Sequence, residues 1–307
     1  MNIKNLVKSQ AVRHTLLKMF SWLPDSVMLP FQYYLILHRK LNLKSPRRFS
    51  EKIQAYKAFY RNPEMLRCTD KYLVRNFVEE RLGTDKYLNT LYQVCDSADE
   101  IDFESLPSQF VIKTTDGGNG NNIFICKDKS KVDWEAEKGK IDSWKGRKLY
   151  NVSREWAYEG AKQSRIIAEQ FLSEGEGKDL TDYKFYCFNG VPHYCQLIQN
   201  RSTDETIDFY DMDWNHMQFC GFLPPNCDKI PVGNDVAPPD CLEEMKSVAS
   251  KLSEGFPFAR IDLYNINGKV YFGEVTFYPA SGYGVFTPDE WDFKLGDLMP
   301  NNTFMQK

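Results

Sequence analysis

The chain has no cysteine pairing pattern. Its eight cysteines, at 68, 95, 126, 187, 195, 220, 227 and 241, include no CxxC and have no histidine at zinc spacing. That excludes a sequence-encoded zinc site and leaves reduced, mostly packed thiols, the usage of a cytosolic protein. Long apolar runs are missing too: none approaches the ~20 residues that a membrane-spanning helix needs, and mean hydropathy is −0.52. The apolar stretch near the N-terminus is broken by Lys18, Pro24 and Asp25, so no secretory signal is expected. There is no internal repeat and no low-complexity tract. No G-K-[S/T] opens a helix, which excludes a Walker loop.

What is present is a chain of 307 residues, 42% hydrophobic and 14% aromatic. That suffices for a full core and suggests roughly two or three subdomains. The net charge of −3 hides an asymmetry. Residues 1–62 carry 12 Lys/Arg against two acids, Asp25 and Glu51, which leaves 27 bases against 40 acids in the rest. A basic, aromatic-rich segment on an acidic body points to an anionic partner, or to peripheral contact with the inner membrane face through residues 1–62. The plainer reading is that these bases pair with the acidic body. A sequence pI near 5.9 argues against nucleic acid.

Along the chain, residues 1–66 read as a basic helical region with breaks at Pro24, Pro30 and Pro46. Ser50 is expected to cap the helix EKIQAYKAFYRN, and Thr69 to cap DKYLVRNFVEERL, which Gly83 stops. A short strand LNTLYQVC and an acidic loop follow. A strand over 110–113 then runs into TTDGGNGNN and out through 123–126. Such a Gly-rich hairpin loop can act as a lid whose backbone N–H groups cradle phosphates, with Lys113 adding a point charge; alone, it is equally a plain polar loop. Residues 130–165 read as mostly helical, RIIAEQFL as a buried strand, and DYKFYCFNG with HYCQLIQNR as a hairpin turning at Gly190. The polar segment STDETIDFYDMDWN, a Pro-rich loop and the helix CLEEMKSVASKLSEGF come next. Strands grouped in antiparallel hairpins with helices between them indicate an α+β fold.

The last fifth holds the sharpest chemistry. The runs ARIDLY and KVYFGEVTF flank Asn267-Gly268, a strong two-residue hairpin signal. The hairpin places Asp262 and Glu274 side by side, and two hard-oxygen ligands held that way suit Mg²⁺. Arg260 lies two residues before Asp262 and so faces the same side, where it can grip a phosphoryl group or an oxyanion. The same residues would also make an ordinary exposed hairpin.

Taken in order over roughly 69–290, these motifs resemble the ATP-grasp ligases, in which ATP lies between two α+β subdomains. Asp70-Lys71 resembles the helix-borne pair that supplies a phosphate-binding lysine. Lys113 with the loop containing Gly117, Gly118 and Gly120 resembles the strand lysine and glycine-rich lid. Glu169, Phe171 and Leu172 resemble the adenine-binding hinge, and Glu176 the acid that holds the ribose. Arg260, Asp262 and Glu274 resemble the transition-state arginine and the Mg²⁺ ligands. The superfamily usually ends its metal pair as E-x-N; here Thr276 takes the third position, a weaker oxygen ligand.

Within the superfamily the resemblance is to the TupA-like group, linked to teichuronopeptide and capsular polysaccharide synthesis. The matching words are TDKYLVR, LPSQFVIKTTDGG, DYKFYCFNG, FYDMDW, and RIDLYNINGKVYFGEVTFYPASG with FTPDEWDFKLG. The lid departs, with Thr115-Asp116 where that group commonly has Asn-His. The resemblance implies an ATP-grasp fold with a helical N-terminal region (1–66), a lysine-strand and lid part (67–175) and a metal and substrate part (176–307). It also implies an ATP- and Mg²⁺-dependent ligase that joins a uronic-acid carboxylate of an anionic sugar or polysaccharide to an amino acid or simple amine. Arg260, Lys184 and Ser281 are the expected catalytic and substrate-binding residues; Arg201 is either a substrate contact or a surface residue. Two alternatives stay open: a phosphotransferase on the same fold, and a glycosyltransferase using the DxD at Asp211-Met212-Asp213.

Overall fold

The structure is a computed structural model that describes residues 20, 22–117, 122–144, 153–158, 164–175, 178–224 and 232–304. Four helices come first: α1 (Asp25–Leu37), α2 (Phe49–Phe59), α3 (Glu64–Thr69) and α4 (Leu73–Leu82). A small antiparallel sheet follows, made of β1 (Leu91–Cys95), β2 (Phe110–Thr114), β3 (Ile123–Cys126) and, after helix α5 (Trp134–Asp142), β4 (Ile166–Gln170), in the order β1-β4-β2-β3. Its inner face, with Phe110, Ile112, Ile166 and Ala168, packs on Ile141 and Trp144 at the end of α5 in a core of its own.

The larger sheet contains β5 (Asp182–Phe188), β6 (Val191–Gln199), β7 (Thr206–Asp211) and β8 (His216–Met217). Strand β9 (Cys220–Leu223) and helix α6 (Leu242–Ser253) separate these from β10 (Phe258–Ile266) and β11 (Lys269–Thr276). The order is β11-β10-β5-β6-β7-β8, antiparallel throughout. Strand β12 (Val285–Thr287) pairs with β9, and helix α7 (Glu290–Asp297) and a short 3-10 turn (Asn301–Thr303) follow. One face of the large sheet carries Phe185, Cys187, Leu197, Ile261, Leu263 and Val275. Onto that core pack Leu242, Met245, Val248, Ala249 and Leu252 of α6, the apolar stripe that its 3.6-residue period dictates. Each such fully buried side chain contributes about 1.5–3 kcal/mol. The other face is apolar at one end, where Tyr186, Phe188 and Phe258 meet Phe49 of α2 and Phe222, and polar at the other, around Lys184 and Asp262.

The α+β expectation holds, and local chemistry moved several boundaries. Pro30 lies inside α1: losing one N–H costs a single helical bond, and Met28, Leu29, Gln32 and Tyr33 are buried on either side of it. Helix α2 starts one residue before Ser50. Glu51 caps it by accepting from the backbone N–H of Arg47 (2.9 Å) and Arg48 (3.1 Å), while Ser50 donates instead to Asp292 (2.8 Å). Thr69 ends α3, and the carboxylate of Asp70 takes the N–H groups of Tyr72 and Leu73, each at 2.8 Å, to cap α4. Lys71 therefore sits in a turn between helices. Gly83 does stop α4, in the left-handed region at φ 69°. The polar segment after 202 forms β7, because its alternating Ile207, Phe209 and Asp211 pair with β6.

Among the described basic residues of the N-terminal region, Arg39, Arg48, Lys57 and Arg61 make ion pairs within the fold. Arg39 and Arg48 meet Asp289 at 2.7 and 2.8 Å. Lys52, buried, donates to the carbonyls of Gly296 and Met299 at the end of α7. The seven described cysteines are buried and form no disulfide among the described residues; Cys227 lies outside the described residues.

Candidate active site

The β10–β11 hairpin turns at Asn267 (φ 52°) and Gly268 (φ 80°), the two successive positive φ angles of a type I′ turn. Its register places Arg260 opposite Thr276 and Asp262 opposite Glu274. On the other side of β10, Lys184 of β5 faces Asp262 and Tyr186 faces Arg260. Cross-strand partners share a face, so these six side chains stand together on the face of the large sheet opposite α6. Between Asp262 and Leu263 the register shifts by one, with Gly273 as the extra residue. A Cβ there would lie 2.9 Å from the Asp262 carbonyl oxygen, so glycine is what permits the bulge.

The guanidinium of Arg260 grips Asp262 with two 2.7 Å bonds, Nε to Oδ1 and Nη2 to Oδ2. The same Nη2 lies 3.1 Å from Glu274 Oε1 and 3.0 Å from Thr276 Oγ1. The three oxygens expected to hold a metal thus converge on one cationic nitrogen. Lys184 adds a second ammonium contact to Asp262 and a 3.1 Å contact to Asp182. Burial pushes the Asp262 carboxyl pKa up, but the charges of Arg260 and Lys184 outweigh this and hold it below the usual carboxylate range. Asp262 is 2% exposed, whereas the Glu274 side chain is 50% exposed and reachable from solvent. Two carboxylates and a hydroxyl are hard donors, and too few to fill a coordination shell. That fits Mg²⁺, which keeps waters and takes substrate phosphates; among the described residues no larger His/Cys/Asp/Glu cluster could hold a metal.

The small sheet brings the lysines. Lys113 on β2 makes an ion pair with Glu169 on β4. Lys71 donates its ammonium to the Gly117 carbonyl and its backbone N–H to Thr115 O at 2.9 Å, which ties the inter-helix turn to the start of the lid. Burial lowers the Lys71 pKa; Glu274 opposes this, Lys113 adds to it, and Asp116 and Glu169 oppose it. Lys71 therefore feels both the metal-type hairpin and the lysine strand. Phe171 and Leu172, half-buried, follow β4 directly. Gly118, Gly120 and Glu176 lie outside the described residues.

A third cluster surrounds Ser281. Ala280 (φ 46°) and Ser281 (φ 55°) are two successive non-glycine residues in the left-handed region, at a cost of about 1–2 kcal/mol each. They are held there from α2. Gln54 Nε2 donates to the carbonyls of Ser281 (3.0 Å) and Gly282 (3.2 Å). Lys57 Nζ donates to Ser281 O (2.8 Å), Ser281 Oγ (2.8 Å) and Ser153 O (3.0 Å), with Glu155 at 3.8 Å. Lys57 is fully buried, and burial lowers its pKa to about 8 against the opposing charges of Glu155 and Asp25. Burial raises the Tyr158 pKa; the charges of Glu155, Glu274 and Asp262 add to this and Arg260 opposes it. Sequence reasoning missed Lys57, Gln54, Glu155 and Tyr158. No local motif marks them; the one available signal is a lysine on the buried side of a helix.

Other candidates are drawn elsewhere. Arg201 pairs with Asp182 at 2.8 Å near the surface. The DxD segment is a turn: the Asp211 carboxylate accepts the backbone N–H groups of Asp213 (3.0 Å) and Asn215 (2.8 Å) and the Asn215 side-chain amide (2.9 Å), and Trp214 is buried. That engages both oxygens of the Asp211 carboxylate in holding the turn.

A family model described as TupA-like ATPgrasp matches residues 51–300. No curated protein sequence matches the chain. Among solved structures, the chain is similar to D-alanine–D-alanine ligase from Bacillus anthracis complexed with ATP, at 14% identity and a TM-score of 0.45, over 77% of this chain and 65% of that one. It is also similar to N5-carboxyaminoimidazole synthetase from Staphylococcus aureus complexed with ADP, at 14% identity and 0.40, over 68% and 44%. A third is D-alanine–D-alanine ligase from Helicobacter pylori, at 16% identity and 0.40, over 83% and 67%. The chain spans less than two thirds of the length of the first two.

Proposed function

The chain belongs to the TupA-like ATP-grasp family, and from that premise we propose that it is an ATP-dependent carboxylate–amine ligase. A substrate carboxylate oxygen takes the γ-phosphoryl of ATP, giving an acyl phosphate and ADP; an amine then displaces phosphate to form an amide. The observation that carries this reading is the convergence of Asp262 Oδ2, Glu274 Oε1 and Thr276 Oγ1 on Arg260 Nη2. These three residues are the ones we assign to Mg²⁺. The ion, when bound, neutralises charge on the phosphate oxygens.

The remaining roles follow from charge and place. Lys71 and Lys113, with the loop of Gly117, Gly118 and Gly120, hold phosphates. Glu169, Phe171 and Leu172 take the adenine and Glu176 the ribose. Arg260 moves from carboxylate to developing phosphoryl charge, and Lys184 stays as the countercharge that keeps Asp262 ionised. The Ser281 turn holds the acceptor. In this division residues 67–175 supply lysines and lid, and 176–307 the metal and substrate side. Closure of the lid keeps water from the acyl phosphate.

The acceptor we favour is a uronic-acid carboxylate of an anionic sugar or polysaccharide, with an amino acid or simple amine as the second substrate. The basic N-terminal fifth supports an anionic partner, including contact with a membrane surface. Calorimetry of ATP–Mg²⁺ binding by the wild type and Glu274→Gln tests the reading: binding is expected in the wild type and at least about tenfold weaker in the variant. Binding of a UDP-sugar with Mn²⁺ in place of ATP would overturn it. ADP release that requires an amine separates the ligase from a phosphotransferase.

A further inference from the structure

Helix α1 is apolar around its whole circumference. After Asp25 its sequence, SVMLPFQYYLIL, has no charged residue. One face, with Met28, Leu29, Gln32 and Tyr33, is buried. The opposite face, with Val27, Phe31 and Tyr34 at helical spacing i, i+4, i+7, is exposed, Tyr34 at 60%. Trp22 and Phe20, just before the helix, extend the apolar surface, Trp22 at 76% exposure. A helix that is apolar all round has a second apolar neighbour besides the core. With 13 residues α1 cannot span a bilayer, and no helix among the described residues is long and apolar enough to do so.

Charge identifies the neighbour. Residues 1–50 hold nine Lys/Arg (4, 8, 13, 18, 39, 40, 44, 47 and 48) and one acid, Asp25. That acid is neutralised within the fold by Arg154 at 3.1 Å and Arg61 at 3.7 Å. Lys40, Lys44 and Arg47, in the segment that leaves α1, are exposed. Arg39 and Arg48 are spent on Asp289 and Asp292, but an apolar stripe rich in Trp, Phe and Tyr beside the exposed Lys40, Lys44 and Arg47 matches the boundary between acyl chains and anionic headgroups, where aromatic rings sit at the interface and lysines meet phosphates. A protein partner of the same chemistry would need an acidic rim around an apolar groove; a lipid surface supplies both without a matching shape.

We propose that the Trp22, Val27, Phe31 and Tyr34 face of α1 docks on an anionic lipid surface, with the helix lying in the plane of the membrane. This deepens the membrane contact named above and does not depend on the ligase chemistry. The test is flotation of the full chain with vesicles of phosphatidylcholine mixed with phosphatidylglycerol, against phosphatidylcholine alone. Phe31→Ser/Tyr34→Ser replaces two exposed side chains and leaves the buried face intact; circular dichroism and ATP–Mg²⁺ binding check that it folds. The wild type is expected to float with the mixed vesicles only, with a blue shift of tryptophan emission and weakening by salt, and the double variant to bind roughly tenfold more weakly. A wild type that ignores both vesicle types overturns the proposal. So does a double variant that floats like the wild type but loses binding when the bases at 4, 8, 13 and 18 are replaced, which would move the contact to the preceding segment. A wild-type dimer that the double variant abolishes, without lipid binding, would assign the face to a second copy instead.

Discussion

The two ends of the candidate site are built in opposite ways. The metal-type end is one hairpin: Arg260, Asp262, Glu274 and Thr276 fall within 17 consecutive residues, and a two-residue turn sets their register. The Ser281 end is assembled from three distant segments, with Lys57 reaching a residue 224 positions away and a carbonyl 96 positions away. The first end is organised by ladder hydrogen bonds and carries its charges on the surface of a sheet. The second is organised by one buried ammonium that satisfies three acceptors and holds two residues in a costly backbone conformation. Local geometry can place charges for chemistry, while a strained turn needs the rest of the fold to hold it.

The contrast can be broken within the hairpin first. Asp262→Asn is expected to lower ATP turnover by about 10³-fold or more and stability by about 3–5 kcal/mol, because Arg260 and Lys184 lose a buried countercharge. Glu274→Gln, at a half-exposed position, should impair Mg²⁺-dependent ATP binding while shifting stability by less than about 0.5 kcal/mol. Denaturant unfolding of both variants reads the difference; equal destabilisation would make the pair a structural ladder rather than a site. At the other end, Lys57→Met is expected to cost about 2–4 kcal/mol, since Ser281, Ser153 and Glu155 lose their donor. ATP–Mg²⁺ affinity should stay within about threefold of wild type. A large loss of ATP affinity would mean that the two ends are one unit.

A pH series sharpens the same point. Lys57 titrates in the fold at about 8, below the ordinary lysine value near 10.4. Between those values the unfolded chain binds the extra proton, so stability rises with pH there. The wild type is expected to gain on Lys57→Met from pH about 8 to about 10 and to run parallel to it below 8, as measured by urea midpoints. The smallest effect expected is at the metal edge: Thr276→Asn restores an amide oxygen and should lower the Mg²⁺ concentration for half-saturation a few-fold. An unchanged Mg²⁺ dependence would remove Thr276 from the ligand set.

What could be read in the sequence follows the same division. The β10–β11 hairpin, the 110–126 strand pair and helix α6 are written in short periodic patterns with turn residues between them, and they stand in the fold where those patterns put them. Caps were harder: Ser50, Thr69 and Asp70 all suit an N-terminus, and tertiary partners such as Asp292 decided which one served. Pro30 was misleading because burial of α1 on both sides of it outweighs one missing hydrogen bond. The Lys57 cluster had no local signature, since its meaning lies in the distant carbonyls that it satisfies. Lys184 was visible, but its pairing with Asp182 and Asp262 depends on the β5–β10 register, which only the sheet order reveals.

Gly273 has a consequence for how this family of hairpins can vary. Glu274 and Phe272 are two residues apart, and because the bulge absorbs Gly273 between them they occupy opposite sides: Glu274 with Asp262, and Phe272 with Leu263 in the core. Strict alternation would have sent one of them the wrong way. The bulge therefore acts like a spacer in a reading frame. Forcing Gly273 into the ladder, as a side chain that the bulge cannot hold would do, transposes every side chain on one half of β11, either dropping a carboxylate into the core or lifting Phe272 and Val270 out of it, whereas deleting the glycine leaves Glu274 and Phe272 adjacent and on their present sides. Most single substitutions along the hairpin can be absorbed, but one further residue inserted at this point would shift the frame of the strand.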